Sequence, residues 1–146
     1  MNEKFYPFEV DPSDFRYEFL SVSEMKTVKK VVLITETERR NVHNVALLDV
    51  LDDGSLCDLT ESRNNDLRMV MATVMQIVAD FLRNNPESYV IFRGSDPRRH
   101  RLYSIIISRE LKELTNTFEI FGLVSSFPIT FVPDTTYNFY LVKKKS

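Results

Sequence analysis

Tyr89-Val-Ile-Phe-Arg-Gly-Ser-Asp-Pro-Arg-Arg-His-Arg-Leu-Tyr-Ser-Ile-Ile-Ile107 holds two secondary structures and the joint between them. Tyr89-Val-Ile-Phe92 is short and apolar without alternation, the pattern of a central strand covered on both faces. Gly94 breaks the run, and Ser95 or Asp96 supplies a helix N-cap. Pro97 then takes the first helical position, where its missing N–H is not needed. Leu102, Tyr103, Ile106, Ile107, Leu111 and Leu114 recur at helical spacing and form the apolar face. Ile105-Ile-Ile107 alone would also suit a strand. The Asp-Pro start and the continuation Arg109-Glu-Leu-Lys-Glu-Leu114 favour the helix.

Upstream of this joint, a second helix is expected after Asn64-Asn65-Asp66, which offers an N-cap. Leu67, Val70, Met71, Val74, Ile77, Val78, Phe81 and Leu82 keep helical spacing, and Asn84-Asn85-Pro86 closes the element. Met69 and Met75 add apolar bulk, so this helix is expected to be covered on more than one side. Its methionines read as core filler rather than as a cofactor box. The first third reads as a meander of three strands: Phe15–Leu20, Lys29–Thr35 and Asn44–Leu51. Asp52-Asp53-Gly54 is a turn, and Glu36 to Asn44 a polar connection that carries His43. After Asn116 come three strand-like pieces, Phe118–Phe121, Pro128–Val132 and Tyr137–Val142, separated by Gly122, Pro128 and Pro133-Asp134. The order β-β-β-α-β-α-β-β predicts an α+β domain over residues 1–146, a mostly antiparallel sheet carrying two helices.

Bulk properties narrow the function. At 146 residues with 43% hydrophobic and 27% charged side chains, the chain suits one domain with one core. A net charge of -2 gives no bulk attraction to nucleic acid or acidic membranes, so any such binding needs a local patch. Cys57 is the sole cysteine; an intramolecular disulfide is excluded and a reducing compartment is expected. Met1-Asn-Glu-Lys-Phe-Tyr-Pro7 is not a secretory signal, and no window approaches the roughly 20 apolar residues of a membrane span. The expected location is cytoplasmic, with no membrane partner. Lys143-Lys144-Lys145 reads most simply as a solubilising tail, with phosphate contact as the alternative.

The unusual feature is charge at the start of the second helix. Arg98, Arg99, His100 and Arg101 crowd a first turn where the helix dipole already places partial positive charge. With about 100° per residue, Arg98 and Arg101 fall on the polar side with Ser104 and Ser108. Arg99 shares the side of Tyr103 and Ile106, one turn above them. There it either recognises a carboxylate or phosphate as a planar donor, or forms a structural pair with Asp66 or Glu61. If both helix starts lie at one edge of the sheet, Asn65, Asp66, Arg93, Ser95 and Arg99 share a surface with Arg98 and Arg101. Ser95, Asp96 and His100 have triad residue types, but they sit on one turn and helix instead of converging from separate elements. Two histidines and one cysteine lack zinc-ligand spacing, and phosphate-loop or dinucleotide glycine patterns are missing. No cofactor is expected. Asp52, Asp53, Asp58, Glu61 and Asp66 could hold magnesium, though aspartates near turns usually cap or face solvent.

Asn64-Asn65-Asp66 before a Val/Met-rich helix, Phe92-Arg93-Gly94-Ser95, and Arg99-His100-Arg101-Leu102-Tyr103 together form a pattern. In these the chain resembles a family of small bacterial proteins of unknown function. The resemblance spans most of the chain, from the aromatic N-terminal strands to Asn138-Phe139, and it implies no activity. The family pattern has a glycine beside the paired asparagines where this chain has Asp66, which argues against a tight functional turn there. The element order also resembles ribonuclease-H-like domains, whose metal ions are held by carboxylates of the first strand, first helix and fourth strand. Glu18, Asp80 and Asp96 are the nearest equivalents, with Asp80 near the wrong end of its helix. The leading expectation is a non-enzymatic module binding an anion: nucleic acid, a nucleotide or an acidic partner protein. The alternatives are a metal-dependent nuclease or phosphate-ester hydrolase, and a protein–protein module such as a toxin–antitoxin component or a homodimer.

Overall fold

The computed structural model describes residues 4–11, 15–23, 26–57, 66–92, 101, 104–105, 107–109, 116–124, 127–130 and 139–145. Nine strands are seen among them. β1 is Phe8–Asp11, β2 Arg16–Val22, β3 Thr27–Glu36, β4 Val42–Val50 and β5 Leu56–Cys57. After helix α1, Leu67–Asn84, come β6 Tyr89–Phe92, β7 Phe118–Val124, β8 Phe127–Thr130 and β9 Phe139–Lys144. All join one sheet in the order β1-β2-β3-β4-β6-β9-β7-β8, with β5 paired to β4. Every pairing is antiparallel except that of β4 with β6. A parallel neighbour needs a long crossover, and α1 lies in it. The result is the expected α+β architecture, a mostly antiparallel sheet with two helices.

The meander forms because its strands alternate. In β2, Tyr17, Phe19 and Ser21 are buried while Leu20 and Val22 face solvent. In β4 the inward set is His43, Val45, Leu47 and Asp49. Helix α1 lies on this inner face. Its residues Val70, Met71, Val74, Met75, Ile77, Val78, Phe81 and Leu82 are buried with Val32, Ile34, Val90 and Val142 of the sheet. Ala72, Thr73 and Ala79 are buried too, so the helix is covered on more than one side, as its methionines suggested. Arg101, Ser104, Ile105, Ile107, Ser108 and Arg109 are helical, which resolves the isoleucine run in favour of helix. Ile107 is fully buried in the same core as α1.

Several expectations need correction. Strand β1 is an additional strand, running antiparallel to β2 at the sheet edge. Gly122 does not separate strands: it lies within β7, paired with Tyr140 of β9. Lys143 and Lys144 are not a free tail, since both belong to β9, with the Lys143 ammonium 5.2 Å from the Tyr89 ring centroid. The polar connection is shorter than Glu36 to Asn44: β3 runs to Glu36 and β4 starts at Val42, with Asn41 at φ +64° leading into it. The Asp52-Asp53-Gly54 turn is as anticipated, with Gly54 at φ +85°, a conformation cheap only for glycine.

Candidate functional site

Of the seven residues expected to form the site, Asp66 and Arg101 are among the described ones. Asn65, Arg93, Ser95, Arg98 and Arg99 lie outside them. Asp66 occupies the N-cap position of α1, at φ -117° and ψ 19°, yet its side chain makes no capping hydrogen bond. Its carboxylate instead crosses to the sheet. The Tyr6 hydroxyl donates to Asp66 Oδ2 at 2.5 Å, and the Ser21 hydroxyl donates to the same oxygen. Ser21 is fully buried and Tyr6 nearly so. The Tyr6 hydroxyl also accepts the Val22 backbone N–H at 3.3 Å. The Tyr6 N–H donates to Thr73 Oγ1 at 2.9 Å, and Thr73 in turn donates to the Met69 carbonyl at 2.7 Å. Asp66 therefore clamps the start of α1 to β2 and to the chain entering β1. Burial raises the Tyr6 phenol above its ordinary value, and the Asp66 hydrogen bond adds to the shift by favouring the protonated donor.

A second polar pair, unforeseen from the sequence, lies deeper in the core. Lys30 and Asp49 are directly opposite in the β3–β4 ladder. Lys30 Nζ donates to Asp49 Oδ1 at 2.6 Å, with side chains 3% and 2% exposed. The second carboxylate oxygen, Asp49 Oδ2, has no hydrogen-bond partner among the described residues. His43 needs a similar correction. It sits in β4 and not in a polar connection, 8% exposed, with its ring centroid 5.1 Å from that of Phe81 and 6.3 Å from that of Phe15. Its Nδ1 has no hydrogen-bond partner among the described residues either.

The carboxylates of the ribonuclease-H-like comparison do not converge. Glu18 is on the outer face of β2, bound to Arg16 at 3.0 Å and Lys29 at 3.3 Å. Burial pushes its carboxyl up, but the hydrogen bonds from Arg16 and Lys29 outweigh this and hold it below the usual range. Asp80 is on the helix side, where its Oδ2 accepts the Tyr17 hydroxyl at 3.2 Å. Asp96 lies outside the described residues. Asp53 closes its own turn, accepting from the Ser55 N–H at 2.9 Å and the Ser55 hydroxyl at 2.6 Å. Among the described residues, no three His, Cys, Asp or Glu side chains gather as metal ligands would.

Arg101 contrasts with these engaged groups. It is exposed on the second helix, with no carboxylate partner among the described residues. The model of a family of unknown function, DUF6934, matches residues 2–145. The chain belongs to that family. No curated protein and no solved structure matches it. For this DUF6934 member, function must be read from side chains. Those at hand are an Asp66 node committed to structure and an exposed Arg101 on the second helix. Among the described residues, no helix is long and apolar enough to cross a membrane.

Proposed function

We propose that this chain is a non-enzymatic bacterial domain of the cytoplasm that binds an anionic ligand at the start of its second helix. The observation carrying this reading is the exposed guanidinium of Arg101, which has no carboxylate partner among the described residues. Arg98, Arg99 and His100 precede it in sequence, and backbone N–H groups at a helix start complement an anion. Further support comes from Asp66, whose Oδ2 already accepts two hydrogen bonds from Tyr6 and Ser21. A phosphate-bearing chain is the first ligand to test, with Arg99 as the planar two-pronged donor and Arg93, Arg98 and Arg101 in support.

The test is binding of labelled single- and double-stranded DNA and RNA at increasing salt, wild type beside Arg99→Ala/Arg101→Ala. Sequence-independent phosphate contact gives dissociation constants on the order of 10⁻⁴ to 10⁻⁶ M that weaken steeply with salt, and the double variant binds more weakly still. Absence of binding at low salt, with a normally folded variant, rejects nucleic acid and leaves an acidic protein surface as the anion.

A further inference from the structure

A groove of about 510 Å³ lies between the chain entering β1, β1 itself and β2, at the edge of the sheet. Tyr6, Pro7, Phe8, Phe19, Leu20 and Val22 make its apolar part, and Glu9, Glu18 and Lys29 its charged rim. Leu20 and Val22 are 50% and 53% exposed, more than any other large hydrophobic side chain described. Tyr6, whose hydroxyl holds Asp66, also lines the groove, so its wall is shared with the clamp at the start of α1.

The charges at the groove are unequal. Glu9 stands directly opposite Glu18 in the β1–β2 ladder, and like charges in that position repel. Arg16 and Lys29 both neutralise Glu18, whereas exposed Glu9 has no cation beside it among the described residues. On the face that Glu9 and Glu18 share, the described carboxylates Glu9, Asp11 and Glu18 outnumber the cations Arg16 and Lys29 in β1, β2 and the facing part of β3. An apolar floor beside one uncompensated carboxylate calls for an occupant with an apolar body and a positive head. The volume lies within the range of small-ligand sites, roughly 300–1,000 Å³. We infer that the groove binds a small amphipathic organic cation, its apolar part against Leu20 and Val22 and its ammonium at Glu9.

The experiment follows the Leu20 and Val22 methyl resonances during titration with n-hexylammonium, n-hexanol and n-hexanoate at pH 7. Hexylammonium should shift both residues and bind about twofold to fivefold more tightly than hexanol, the scale of an exposed ion pair. Hexanoate should bind most weakly. Glu9→Gln should erase the preference for the cation without lowering the unfolding midpoint, because it also relieves repulsion with Glu18. Leu20→Ser should weaken hexylammonium and hexanol alike. Equal or tighter binding of hexanoate overturns the inference, as does a cation preference that survives Glu9→Gln. No saturation by any of the three in the millimolar range also overturns it. A wild-type dimer in sedimentation that Leu20→Lys disperses would assign the groove to a second copy of the chain and overturn it equally.

Discussion

Replacing Lys30 with methionine keeps most of the side-chain volume and removes the one cation that faces Asp49 in the core. The Asp49 side chain is 2% exposed, and its Oδ2 already lacks a partner among the described residues, so the variant leaves a carboxylate with no such partner on either oxygen. Breaking a buried pair from one side costs about 3–5 kcal/mol, because the remaining charge stays desolvated. Against a typical domain stability of about 5–15 kcal/mol, that is about a fifth of the total or more. For a chain of this size it corresponds to a loss of roughly 6–20 °C in Tm. The matched change, Lys30→Met/Asp49→Leu, removes both charges and fills the site with apolar volume. It should lie within about 1 kcal/mol of wild type or be more stable. Urea unfolding of wild type, both single variants and the double variant closes the cycle, with a coupling of several kcal/mol expected. A Lys30→Met cost below about 1 kcal/mol would refute the reasoning, because it would mean that water reaches Asp49 in the native state.

Three further outcomes follow from the same geometry. Ser21→Val removes a buried hydroxyl donated to Asp66, and should cost about 2 kcal/mol in urea unfolding, the range for a hydrogen bond to a charged group. Tyr6 and Tyr17 both have phenols raised above 10.0, in each case mainly by burial, so the native state keeps protons that the unfolded chain releases. Their contribution is fully present below pH 10 and is lost above it. Unfolding free energies between pH 8 and 11.5 should therefore fall less steeply in Tyr6→Phe/Tyr17→Phe than in wild type. Arg101→Ala, at an exposed position, should change stability by no more than about 0.5 kcal/mol, checked by thermal unfolding.

The parts of the fold that were legible are those with a long, unbroken period. Eight apolar positions at helical spacing place α1, and Asn85-Pro86 closes it. The same is true of β2 and β4, which alternate for seven and nine residues, while β3 is marked by its β-branched apolar run. Strand β1 has four residues after a proline, and β5 has two, too few for a period to register. Gly122 was misleading because glycine in a strand looks like punctuation when nothing shows that Tyr140 pairs with it.

The site was legible only in part. Asp66 was found at the helix start, but its partners Tyr6 and Ser21 lie 60 and 45 residues away, and only the β1–β2–β3 register brings them there. One signal was available for Ser21, the inward phase it shares with Tyr17 and Phe19. The same signal existed for Lys30, in phase with Val32 and Ile34, and for Asp49, in phase with Val45 and Leu47. A lone charge in a strand reads as solvent-facing until its neighbour across the ladder is known to carry the opposite sign.

The central claim is that the basic helix start touches phosphate, and the salt slope of Arg101→Ala tests it most directly. For single-stranded nucleic acid, the logarithm of the binding constant falls with that of salt by about 0.7 per phosphate contacted. Loss of one contact should flatten the slope by about that amount and weaken binding evenly across sequences. A variant whose slope and affinity equal those of wild type would contradict the account.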